Sequence, residues 1–198
     1  SRIFIEKKEI NLNKISTSYN IISFFKKEFG ISTLNLKTEK NEIKNIIKLL
    51  RLNKDTPQLY ILDNTINKGK IFIEAKINFD EKGNIKDDYK ISGKINDLYI
   101  KLLKKNEIKN INFDFNYYDK NIELNDLIFN YFNLKILSEK ILLKKNNKFY
   151  EIKGNLKNSK EIIPKEIISL LLKKKIFNKI ILSSNNDFSF KIDKKYKI

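Results

Sequence analysis

Ile71-Phe72-Ile73-Glu74-Ala75-Lys76-Ile77-Asn78-Phe79 carries an apolar residue at every odd position and, after Phe72, a polar one at every even position. The same beat returns in Ile111-Asn112-Phe113-Asp114-Phe115-Asn116-Tyr117. Strict alternation sends successive side chains to opposite sides of a strand. These stretches therefore predict a sheet with one greasy face and one charged face. The beat is nearly unbroken from about Lys68 to Lys157.

Working outward, the expected strands are Lys70–Phe79, Tyr89–Asn96, Leu98–Leu103, Lys109–Tyr118, Ile122–Leu124, Leu127–Tyr131, Leu134–Leu137, Lys140–Lys144 and Phe149–Lys157. Asp80-Glu81-Lys82-Gly83-Asn84, Asp119-Lys120-Asn121 and Asn146-Asn147 supply turn residues between them. Short strands joined by short turns predict an antiparallel meander. Before it, Ile3/Ile5 and Ile10/Leu12 alternate briefly, with a turn at Lys7-Lys8-Glu9. A first helix fits Ser18–Phe29, with Gly30 at its C-terminal cap. A second fits Asn41–Leu52, where Ile43, Ile46, Ile47 and Leu50 make one stripe and Thr38 or Asn41 is a candidate cap. Pro57 closes the following loop, and Gln58–Leu62 reads as a short strand. A third helix fits Pro164–Phe177, with Pro164 at its first position. Ile180–Leu182 and Phe188–Ile192 read as a last pair of strands around a turn at Asn185-Asn186. The chain thus divides into an N-terminal strand and helix segment, residues 1–68, and a sheet region, residues 69–198.

One echo stands out. Tyr89-Lys90-Ile91-Ser92-Gly93-Lys94-Ile95 and Tyr150-Glu151-Ile152-Lys153-Gly154-Asn155-Leu156 share Y-x-I-x-G-x-[I/L]. A glycine repeated at this place inside a strand is read as marking a bend or a bulge.

Composition narrows the function classes. There are 39 Lys, 35 Ile and 27 Asn against one Ala and no Val or Trp, a skew that reads as AT-rich coding. The absence of Met makes the chain read as a fragment of a longer polypeptide. The formal charge is +17, yet only Arg2 and Arg51 are arginines. Nucleic-acid readers lean on Arg for bidentate and stacking contacts. The lysines are scattered, mostly on the polar parity of strands, so the charge reads as a solvated face with a weak attraction for anionic headgroups. Nucleic acid is not the expected partner. The longest uncharged stretch, Ile15–Phe25, has 11 residues, against about 20 apolar ones for a membrane-spanning helix.

No catalytic constellation appears. There is no His and no Cys, which removes thiolate nucleophiles, imidazole bases and nearly all zinc sites. The five glycines are far apart, so no phosphate loop exists. Asp87-Asp88 are neighbours in a turn, which does not give the facing carboxylates of a glycosidase. No calcium loop is present. The expectation is a non-enzymatic chain without cofactor or metal. The aromatics Phe113, Phe115, Tyr117, Phe129 and Tyr131 sit on strand parities and admit three readings: ordinary core, a stacking platform for single strands, or the wall of a groove for acyl chains.

Three stretches carry a family likeness: Tyr89 to Leu98, Ile122 to Leu143, and Phe149 to Leu156. They resemble the repetitive β-strand region of the AsmA-like envelope proteins, which include large lipid-bridge members. The resemblance covers about Gly69 to Ser159. It implies an inner-membrane-anchored protein of a Gram-negative bacterium, whose periplasmic part curls into an apolar β-groove for phospholipid. The chain lacks the N-terminal anchor of that group, as an internal piece would. On this footing the expected fold class is α+β, mainly antiparallel β: a curled meander forming a groove, with three short helices, two N-terminal and one after the meander. The expected lipid-binding wall is Ile71, Ile73, Ile77, Ile91, Ile95, Ile111, Phe113, Phe115, Ile122, Leu124, Phe129 and Tyr131. The expected partners are phospholipid acyl chains, with the membrane reached through other parts of the parent chain. The competing expectation is a structural or interaction β-domain with an ordinary closed core.

Overall fold

The computed structural model describes residues 2–5, 8–26, 28–102, 106–146, 149–165, 167–168 and 180–193. The elements run β1 (Arg2–Ile5), β2 (Lys8–Tyr19), α1 (Ile21–Lys26), β3 (Ile31–Thr38), β4 (Asn41–Glu42), α2 (Ile43–Asn53) and α3 (Pro57–Thr65). They continue β5 (Ile66–Asn78), β6 (Lys90–Lys101), β7 (Glu107–Tyr118), β8 (Asn121–Tyr131), β9 (Leu134–Lys145), β10 (Phe149–Ile162) and β11 (Ile181–Asp193). The fold is α+β and mainly antiparallel β, as the alternation predicts. Among the described residues there is one open, curled sheet in the order β1-β2-β3-β5-β6-β7-β8-β9-β10-β11, with short β4 also paired to β5. Strands β2 and β3 of the N-terminal segment belong to this same sheet, joined to it through the β3–β5 ladder.

Several expected strand pairs are single long strands. Tyr89–Asn96 and Leu98–Leu103 fuse into β6, Ile122–Leu124 and Leu127–Tyr131 into β8, and Leu134–Leu137 and Lys140–Lys144 into β9. A β-bulge accounts for each apparent break, the one in β9 lying against β10, where Ser138, Glu139 and Lys140 stand opposite Asn155 and Leu156. An extra residue shifts the phase of a period-two pattern without ending the strand. In β6, Asn96 and Asp97 lie opposite Asn112. In β7, Asn110 and Ile111 lie opposite Phe129. In β8, Asp126 and Leu127 lie opposite Phe113. Asp97, Asn110 and Asp126 all have positive φ, 52°, 53° and 52°. Asp and Asn tolerate that left-handed conformation better than other side-chain-bearing residues. The bulges lie side by side on neighbouring strands, and bulges bend and twist the strands that hold them. They are the local cause of curl in this part of the sheet.

The turns follow their chemistry. Asp119 and Lys120 (φ 46° and 61°) and Phe132 and Asn133 (φ 47° and 64°) form tight two-residue connections between β7, β8 and β9. Asp80 accepts from the Asn84 side-chain amide at 3.0 Å and from the Asn84 and Lys82 backbone amides at 2.8 and 2.9 Å, which together hold its carboxyl below the usual range.

The N-terminal half departs from expectation in four places. The first helix is Ile21–Lys26 rather than Ser18–Phe29, because β2 continues to Tyr19. Gln58–Leu62 is not a strand. Thr56 caps α3 by accepting from the Leu59 amide at 3.3 Å, and Pro57 opens the helix instead of closing a loop. Neither Thr38 nor Asn41 caps α2. Buried Thr38 accepts from the Ile73 amide at 3.0 Å. Buried Asn41 accepts from the Asn11 amide at 2.7 Å and donates to the carbonyls of Asn11 and Glu39. At the far end, the turn expected at Asn185-Asn186 lies inside continuous β11. Of the helix expected at Pro164–Phe177, the Ile167 and Ile168 amides donate to the Pro164 carbonyl, and residues 169–179 lie outside the described residues.

The main core forms where α2 meets the sheet. Ile43 and Ile47 of α2 are buried with Ile66, Ile71, Ile95, Leu98, Ile111 and Leu127. Arg51 ties α2 to α3. It donates to Asp55 at 2.8 Å and Asp63 at 2.6 Å and lies over the Tyr60 ring. Both carboxylates favour its charged form and hold its proton more tightly than usual.

Candidate functional site

Directly paired residues of an antiparallel ladder point to the same side of the sheet. Following the pairs strand by strand traces one face. Leu34 and Leu36 of β3 stand opposite Ile77 and Ala75 of β5. Ile71, Ile73 and Ala75 stand opposite Ile95, Gly93 and Ile91 of β6. These in turn face Phe113, Phe115 and Tyr117 of β7. Phe115 and Tyr117 meet Leu124 and Ile122 of β8, which meet Ile141 and Leu143 of β9. Gly154 and Ile152 of β10 follow, then Phe188 and Phe190 of β11. Beyond the bulges the same face carries Leu98 with Ile111, Ile108 with Tyr131, and Phe129 with Ile136. The bulges thus keep the apolar side apolar along the full length of each strand.

All twelve residues expected on the wall share this face. They do not share one environment. Ile71, Ile95 and Ile111 are buried in the core with α2. Ile73, Phe113, Phe115 and Phe129 are partly buried and pack against that core. Ile77, Ile91, Ile122, Leu124 and Tyr131 are half-buried outside it. Toward the β11 edge, Phe190 and Ile192 are exposed. Helices α2 and α3 pack on β2, β4 and β5, and among the described residues there is no second sheet. At about 4.8 Å per strand, the face spans roughly 40 Å from β2 to β11.

The opposite face is charged and internally paired. Lys37 of β3 and Glu74 of β5 are directly opposed and 2.5 Å apart. Lys94 and Asp114 repeat this between β6 and β7 at 3.2 Å. Lys140 lies 2.7 Å from Glu123 and holds that carboxyl below the usual range, while the carboxylate holds the ammonium's proton more tightly. Phe72, Ile128, Leu137, Leu142 and Phe149 are among the apolar residues on this side.

The Y-x-I-x-G echo also has a structural meaning. Gly93 lies directly opposite Phe115, and Gly154 directly opposite Phe188. A Cβ at Gly93 would sit 2.7 Å from the Phe115 ring and 2.1 Å from the Phe72 carbonyl oxygen. A Cβ at Gly154 would sit 3.0 Å from the Phe188 ring. In both copies an aromatic ring from the next strand lies over the bare glycine backbone, so the glycine makes room for a ring, where the sequence suggests a bend or a bulge. The echo's tyrosine adds a further contact: Tyr89 stacks on Tyr117 at 5.4 Å with their hydroxyls 3.2 Å apart. That hydrogen bond, with burial, pushes the Tyr117 hydroxyl up to about 12.

The alternation gives no hint of the side-chain clamps on the bulges. Asn112 accepts from the Asp97 amide at 3.0 Å while donating to the Asn110 carbonyl at 2.8 Å. Asn155 accepts from the Ser138 hydroxyl at 3.2 Å and the Glu139 amide at 3.1 Å. A signal was present: Asn96-Asp97-Leu98 and Asn125-Asp126-Leu127 repeat the same tripeptide at the same structural position. Comparison with protein-family models, with curated proteins and with solved structures returns no match.

Proposed function

We propose that this chain is a non-enzymatic segment of an AsmA-like envelope protein whose apolar β-face carries phospholipid acyl chains between inner and outer membrane. On this reading it works in the periplasm of a Gram-negative bacterium, and other parts of the parent chain hold it to the inner membrane. One observation carries the reading: an apolar face runs from β3 to β11 in a curled sheet, and among the described residues α2 and α3 pack mainly on β2, β4 and β5. An apolar strip of that extent is an aggregation hazard unless something covers it. Acyl chains suit it, because they need apolar contact and no hydrogen-bond partners.

The energetics favour sliding over release. Each buried CH₂ is worth about 0.8 kcal/mol, so two ordinary acyl chains gain on the order of 20 kcal/mol gross. Outside the α2 core the face has uniform apolar chemistry, which makes that gain similar from point to point. Movement along the face then needs little free energy, and departure into water needs much more. The paired charges of the opposite face keep that side in water.

A second reading, a structural or interaction domain, draws on the core of Ile71, Ile95 and Ile111 under α2. The two separate in a photocrosslinking experiment. A crosslinking side chain at Ile122 or Leu124, outside that core, captures phospholipid if the face is a trough. Phe113→Asp with Phe115→Asp removes capture. Persistent capture in that folded variant, or none in the parent, refutes the trough.

A further inference from the structure

Helix α1 turns apolar side chains outward. Among its described side chains Ser23 is 2 % exposed, while Ile21, Ile22 and Phe25 are 75, 62 and 80 % exposed beside exposed Lys26, and neighbouring Tyr19 is 68 % exposed. A helix that faces water normally does the reverse. The exposed quartet stands at one end of the sheet, on the connection between β2 and β3.

The tip is held firmly. Asn20 accepts from the Ile22 amide at 3.1 Å through its side chain and from the Ser23 amide at 3.2 Å through its carbonyl. The Asn20 amide donates to the Gly30 carbonyl at 2.8 Å, closing the base. The Phe29 amide donates to the Glu81 carbonyl at 3.0 Å, and its ring meets Phe79 at 5.5 Å. The apolar side chains are therefore presented outward by a fixed base.

We propose that α1 is a membrane-docking tip that inserts Tyr19, Ile21, Ile22 and Phe25 into the interfacial layer of a lipid bilayer. Two arguments choose a bilayer over a protein partner. Four side chains offer on the order of 500 Å², short of the roughly 800 Å² per partner that a stable protein interface buries. And the feature is a projection, which a bilayer accepts without needing a matching pocket. The described charges around the tip cancel, with Lys26, Lys82 and Lys86 against Glu28, Asp80 and Glu81. Insertion is thus driven by apolar burial, and it takes place on neutral lipid. The proposal does not depend on the acyl trough, which lies on the face of the sheet and is read by crosslinking.

The chain has no tryptophan, so Phe25→Trp places a single indole at the tip. With phosphatidylcholine vesicles the expected result is a blue-shifted emission that brominated phosphatidylcholine quenches. The parent chain floats with the same vesicles at high salt. Ile21→Ser with Phe25→Ser, folded by circular dichroism, loses about a hundredfold in vesicle partitioning. An unshifted, unquenched indole overturns the proposal, as does equal flotation of the Ser variant. Binding that needs anionic lipid and vanishes in salt also overturns it, since that is adsorption by the overall positive charge. So does a dimer of the parent chain that the Ser variant dissolves while vesicles go unbound.

Discussion

Gly93→Ala is the sharpest test of how the apolar face is built. Gly93 lies mid-strand in β6 without positive φ, so its backbone suits alanine. An unconstrained strand glycine replaced by alanine gains about 0.5–1 kcal/mol. Here the new methyl would sit 2.1 Å from the Phe72 carbonyl oxygen and 2.7 Å from the Phe115 ring. The ring must swing away, and the backbone at Phe72 must shift as well. Overpacking of this kind costs about 1–3 kcal/mol. Displacing the ring forfeits a further 50–100 Å² of apolar contact, about 1–2.5 kcal/mol at 25 cal/mol per Å². The two costs overlap, and the alanine gain offsets part of them, which leaves a net loss of about 2–3 kcal/mol. Urea unfolding reads this as a fall in midpoint of about 1 M at unchanged slope. Phe115→Leu in the same chain relieves the ring's share of the clash and leaves the Phe72 carbonyl contact, so a double-mutant cycle shows a coupling of about 1 kcal/mol and the double variant stays below the parent. Gly154→Ala is milder, since its nearest contacts are 2.8 Å to the Lys140 carbonyl and 3.0 Å to Phe188. A Gly93→Ala midpoint that stays or rises refutes the aromatic-over-glycine account.

The remaining predictions concern the bulges, the charged face and the helical hairpin. Asp97→Val forces a β-branched residue to φ 52° and costs about 1–3 kcal/mol, while Asp97→Gly is neutral or stabilising, both by urea unfolding. Equal losses for the two would remove the bulge argument. Glu123 is held below its ordinary value by the Lys140 hydrogen bond, so its contribution is present above the ordinary carboxylate range, about pH 4.3, and drains as pH falls through the depressed value. Glu123→Gln should therefore lower the unfolding midpoint at pH 7 and leave it little changed at pH 2; the same loss at both pH values contradicts this. Arg51→Ala releases Asp55, Asp63 and Tyr60 together, and limited proteolysis should then cut within α3 faster than in the parent.

Much of the sheet could be read from the chain, because one buried side and one wet side impose a period of two on residues such as Ile71 to Phe79. What alternation cannot report is a phase change inside a strand. At Asp97 and Asp126 the period slips by one residue, which looks like a strand end although the ladder continues. The repeated Asn-Asp-Leu was the available cue, since Asp and Asn are the side chains that accept left-handed backbone. Segment 57–65 misled for a different reason. Leu59, Tyr60, Ile61 and Leu62 are four apolar residues in a row, and such a run does not separate strand from helix. Thr56-Pro57 did separate them, as cap and first helical residue. Thr38 and Asn41 precede α2 as caps do, yet they bond to the Ile73 and Asn11 amides on strands far along the chain, which no local pattern records. For the wall, the shared parity of the twelve residues was legible. Which of them α2 covers was not, since that depends on where the helix lands.

The central claim is that the apolar face takes acyl chains. Native mass spectrometry of the chain, purified without detergent from cells, tests it most directly. The account predicts a population heavier than the bare 23.6 kDa polypeptide by one or more phospholipid masses, released on collisional activation as intact lipid. A spectrum of bare polypeptide alone, from protein that remains folded and able to bind added phospholipid in no amount, would contradict it.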